Sequence, residues 1–134
     1  MNASPDQSAL FSAIVEQAPD AIIFADPAGI IRVWNRRAQA LFGYAADEAI
    51  GQSLDLIIPA HLRPAHWRGY ERAIAAGRTQ SGAKPMVTRA AHKDGSKLYV
   101  DLAFAIIGNG SHGVLGALAI GKSSTRHSDP RGSA

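Results

Sequence analysis

One stretch of this 134-residue chain concentrates the side chains able to do chemistry: HLRPAHWRGYERAIAAG, residues 61–77. Read as a helix, it turns about 100° per residue. With His66 as origin, Leu62, Tyr70, Ala73 and Gly77 fall within roughly 40° of it. Arg68, Glu71, Arg72 and His61 fall on the opposite side. The spacing therefore aims His66 at the core and His61 at water. Gly69 and Ala73 leave room beside the imidazole for something flat. An inward imidazole over a roomy apolar surface is what an axial haem ligand needs. The same placement also suits a core histidine satisfied by hydrogen bonds.

Other chemistries lack their residues. There is no cysteine, which excludes disulfides, thiolate metal sites, iron–sulfur clusters and thiol catalysis. No Gly-rich phosphate loop or nucleophile elbow is present. Asp47-Glu48 reads as first-turn acids favouring a helix N-terminus rather than an acid/base pair. His92 at a turn, His112 at a strand start and His127 near the end are expected to be exposed and too scattered for zinc. No catalytic constellation emerges, so an enzyme is not expected.

The charge is uneven. Residues 1–59 hold three Arg and seven acids, and residues 60–134 hold eleven Lys/Arg and four acids. A basic half can serve nucleic acid, an anionic ligand or simple solvation. Arg63, Arg68, Arg72 and Arg78 lack the aromatic interleaving or helix-turn-helix that nucleic-acid binding calls for. Composition is that of a globular domain, at 46% hydrophobic and 19% charged. No apolar run reaches the ~18 residues of a membrane helix, and the N-terminus lacks a basic signal region. A cytoplasmic location is the expectation.

The elements that must position His66 follow from periodicity. Leu10, Phe11, Ile14 and Val15 make one stripe on a first helix, capped at Asp6 or Ser8. AIIFAD (21–26) and IIRVW (30–34) flank the turn Asp26-Pro27-Ala28-Gly29, which makes a hairpin. Asn35 sits where an N-cap belongs, ahead of RRAQALFGY, and Gly43 can end that helix. Residues 45–59 read as short helical turns, and the long helix runs over about 60–76. KPMVTRAAH (84–92), the tight turn Lys93-Asp94-Gly95-Ser96, KLYVDLAFAIIG (97–108) and HGVLGALAIG (112–121) complete the chain as strands. Strands separated by a block of helices predict an α+β domain with an antiparallel sheet.

Order and motifs together resemble a PAS domain. PDAIIFADPAGIIRVWNRRAQALFGYAADEAIGQSLDLIIP looks like its first half and HKDGSKLYVDLAFAII like its second hairpin. The likeness covers about residues 10–121. It implies a five-stranded sheet of order 2-1-5-4-3, helices on one face and a pocket beneath the long helix. Residues 1–18 would be an N-terminal tail and cap helix, 19–121 the PAS domain and 122–134 a polar tail. Such domains sense ligands, redox state or light, or mediate dimerisation, which implies a homodimer through the N-terminal helix and sheet and a signalling partner in trans.

LRPAHWRGY further resembles the segment around the proximal histidine of the haem-binding PAS oxygen sensors. That likeness makes His66 the iron ligand, with Leu62, Tyr70 and Ala73 beside it. Arg63 and Arg68 would meet the propionates. A distal Arg of those sensors falls at Met86 here, and a position that can carry a Met ligand falls at Lys84. Met86 is then the candidate sixth ligand, or a flexible core filler. Strand parity turns Arg89 away from Met86. The cofactor implied is haem b. Flavin is the lesser alternative, because photoadduct chemistry in this fold needs a cysteine. A small metabolite, or no ligand at all in a pure interaction module, are the other readings that fit the fold.

Overall fold

The computed structural model describes residues 5–79, 82, 84–110 and 113–124. Helix α1 spans Pro5–Gln17, followed by β1 (Ala21–Ala25), β2 (Ile31–Trp34), α2 (Arg36–Phe42) and α3 (Ala46–Ala49). Two 3₁₀ turns, Leu54–Ile57 and Ala60–Leu62, lead into α4 (Arg63–Ala76). Strands β3 (Met86–Ala91), β4 (Lys97–Gly108) and β5 (Val114–Ser123) close the domain. All neighbouring strands pair antiparallel, in the order β2-β1-β5-β4-β3. The α+β architecture and strand order are those expected.

Side chains set the local turns. Asp26 Oδ1 accepts from the N–H groups of Ala28 (2.9 Å) and Ile30 (3.1 Å), while Oδ2 pairs with Arg32 at 2.9 Å. This Asx turn folds β2 back onto β1. Asn35 caps α2, accepting from the N–H of Ala38. Gly43 ends the helix at φ 88°, a conformation that glycine adopts without steric cost. Pro64 fits the first turn of α4, where its missing N–H is not needed.

The core forms where the helical block meets the sheet. Ile31, Phe42 and Val100 are its largest fully buried apolar side chains, with Asn35 buried beside them. The turn before β4 is docked on this block. The N–H of Lys93 donates to the carbonyl of Phe42 (2.9 Å), and Lys93 Nζ meets Glu48 at 2.6 Å.

Three expectations need correction. Helix α1 already begins at Pro5, so Asp6 and Ser8 lie inside it rather than cap it. His92 is not simply exposed: its ring lies against Gly43, whose missing side chain makes the space. The sheet also runs past residue 121. Lys122 and Ser123 pair with Asp101 and Val100, because β4 begins early enough to template them. His112, His127, residues 1–4 and residues 125–134 lie outside the described residues.

Candidate functional site

Helix α4 stands over the sheet and encloses a cavity of about 890 Å³. Ligand sites commonly span roughly 300–1,000 Å³. Its walls are apolar, with Ile23, Leu102 and Phe104 below and Gly69 and Ala73 above. Its charged residues are Arg72, Arg78 and Arg89, and among the described residues no carboxylate lines it.

Two rings on α4 fix the helix over this space, and a third stands beside them. Tyr70 donates its hydroxyl to the carbonyl of Asp26 at 2.6 Å. Burial pushes that phenol up to about 12, so it stays protonated as a donor. Trp67 donates Nε1–H to Asp55 Oδ1 at 2.8 Å. Its indole ring packs against Gly29, where a side chain would collide with it. His66 sits edge-on to Trp67, ring centres 4.6 Å apart, and 5.7 Å from Tyr70.

His66 lines the cavity and is half-buried. Its Nδ1 is buried without a hydrogen-bond partner. Burial holds the imidazole below its ordinary value of 6.5, against a smaller opposing pull from Asp55. A depressed value keeps the ring neutral near pH 7. The neutral ring offers a lone pair, which is the form that binds a metal.

The residues expected at the site divide into those that meet and those that do not. His66, Tyr70, Ala73 and Met86 all line the cavity. Met86 enters from β3 and remains 44% exposed. Leu62 does not line it. It belongs to a 3₁₀ turn of about three residues per turn, so an α-helical wheel misplaces it. Arg63 does not line it either. Its guanidinium donates to the carbonyls of Ile58 (3.0 Å) and Asp55 (3.1 Å), anchoring the start of α4. Arg68 is exposed and off the cavity, as is Lys84.

Other residues occupy the places assigned to these. Arg72, expected on the far side of α4, lines the cavity, as does Arg78 just beyond the helix. A long flexible arm reaches well beyond the arc its Cβ defines. Arg89 also lines the cavity, although parity points it outward. It lies on an edge strand, paired with β4 alone, so its arm can bend round the sheet.

Comparison with known proteins places this geometry. The family model described as "PAS fold" matches residues 9–122. The chain belongs to the PAS family. Among curated relatives, the "Oxygen sensor protein DosP" of Escherichia coli is 28% identical over 96 residues, 72% of this chain and 11% of that protein. The "Sensor protein FixL" of Bradyrhizobium diazoefficiens is 40% identical over 53 residues, 40% of this chain and 10% of that protein. This chain thus spans about a tenth of the length of either relative. A PAS domain crystal structure from Colwellia psychrerythraea superposes with a TM-score of 0.75 at 24% identity, covering 91% of this chain and all of that one. This PAS domain is therefore akin to sensor domains. Among the described residues, no helix is long and apolar enough to cross a membrane.

Proposed function

We propose that this PAS domain binds b-type haem through His66 and senses a gas or redox state, signalling in trans rather than catalysing a reaction. The observation that carries the reading is His66 on the wall of an apolar cavity, its Nδ1 buried and without a hydrogen-bond partner. The residues fit the group. The walls suit a flat apolar macrocycle, and Arg72 and Arg78 suit its carboxylates. Among the described residues, no cavity carboxylate opposes them. Bound haem would supply an iron able to change oxidation state or take a diatomic gas. Met86, which also lines the cavity, would offer a thioether to the iron. The sensor names of DosP and FixL support this class of signal.

An absorption spectrum after reconstitution with haem tests the reading. A Soret band is expected, and His66→Ala should abolish it while circular dichroism stays native. A band indifferent to His66, or none at all, rejects the proposal. Met86→Ala should convert a six-coordinate ferrous spectrum to a five-coordinate one. An unchanged spectrum removes Met86 from the iron.

A second reading, dimerisation, has its own support. Leu10, Phe11 and Ile14 on α1 are 54–55% exposed. On the sheet face away from the cavity, Ile120 pairs in register with Ile22 and Ala103 and is 37% exposed. The α1 stripe of one copy suits that face of a second copy. Light scattering should give a dimer that Phe11→Asp with Ile14→Asp turns into a monomer. An equal mass for both proteins would refute the arrangement.

A further inference from the structure

Among the described residues, Arg89 is the only charged side chain that enters the cavity wall from the sheet. Met86, Thr88 and Ala90 share one parity of β3 on the cavity side, and Arg89, of the other parity on this edge strand, lines the cavity as well. Its arm lies against the second 3₁₀ turn, where Nη1 comes within 3.5 Å of His61 Nε2. That contact is long and weak, between two nitrogens. The Nε of Arg89 is buried and has no acceptor. No carboxylate among the described residues pairs with the guanidinium. Arg72 and Arg78 differ, since both are exposed and solvated. The guanidinium therefore carries a charge on the cavity wall that no carboxylate among the described residues neutralises, and an anionic group inside the cavity is its natural counter-charge.

We infer that Arg89 reads an anionic oxygen group on the molecule held between α4 and β3. The ligand class is an amphiphile, an apolar body carrying a carboxylate or similar acid beside the edge strand. The inference rests on the proposed ligand role of the cavity, but not on iron. A planar guanidinium pairs with such an acid through two parallel hydrogen bonds, which a point charge cannot reproduce.

The test uses the haem-free full chain and two fluorescent probes, anionic anilinonaphthalene sulfonate and neutral Nile red. Both should bind. Arg89→Gln should weaken the anionic probe about tenfold, the size of a lost charge-assisted contact, and leave Nile red within about twofold. Arg68→Gln, outside the cavity, should change neither. Equal loss of both probes would show a structural role and overturn the inference. So would an unchanged anionic affinity, or failure of both probes to bind the parent. A missing Soret band bears only on haem, so the two ideas fail separately.

Discussion

Asn35→Ala should lower the stability of the domain by about 3 kcal/mol or more, from a total of about 5–15 kcal/mol for a domain. The side chain is only 2% exposed and makes four hydrogen bonds. Its Oδ1 accepts from the N–H groups of Ile22 (2.9 Å) and Ala38 (3.0 Å). Its Nδ2 donates to the carbonyls of Val15 (2.8 Å) and Asp20 (3.0 Å). One amide thus joins α1, β1 and α2. Alanine leaves two donors and two acceptors without this partner, and an N-cap loss alone costs roughly 0.5–2 kcal/mol. Urea unfolding at unchanged slope measures the effect. A loss under about 1 kcal/mol would show that water replaces the amide. Asn35→Asp separates the two ends. It keeps an acceptor for Ile22 and Ala38 but presents an oxygen to the two carbonyls. Amide exchange should then rise across α1 while α2 stays protected.

Asn35 also shows what a sequence makes legible. Its cap bond reaches Ala38 three residues away, so type and place predict it, whereas its bonds to Ile22, Asp20 and Val15 join residues 13, 15 and 20 positions earlier and do not show in the local pattern. Short reach likewise makes Asp26 and the Asx turn, Gly43, and the Lys93–Ser96 turn legible. What stayed hidden depends on reach and on elements far apart in the chain. Leu62 was misplaced because the helix begins as a 3₁₀ turn, which the apolar pattern does not reveal. Arg63 looked like a ligand contact, but its guanidinium is taken up by the carbonyls of Asp55 and Ile58, at the first 3₁₀ turn and its end. Arg72 and Arg89 were assigned by the direction of Cβ, whereas their heads sit several bonds away. The His92 position depends on Gly43, forty-nine residues earlier. His66 was legible because an α-helix carries its own angular frame.

Phe42→Ala probes where core ends and cavity begins. Phe42 is fully buried, packs its ring 5.5 Å from that of Trp34, and also lines the cavity. Truncating a core phenylalanine typically costs about 3–5 kcal/mol, from lost transfer energy and from the void left behind. Here the new space joins an existing cavity rather than forming a sealed one. The void component therefore shrinks, and the expected loss lies near 3 kcal/mol. The helix itself should survive, because Gly43 and Asn35 still cap it and Lys93 still bonds the backbone carbonyl at position 42. Trp34 should report the change by red-shifted emission, since one face of its ring loses its neighbour. An apolar guest such as indole should then raise the unfolding midpoint of the variant more than that of the parent, by occupying space the parent lacks. If stability falls by less than about 1.5 kcal/mol, the floor of the cavity has collapsed to close the gap, and the guest should give no added stabilisation.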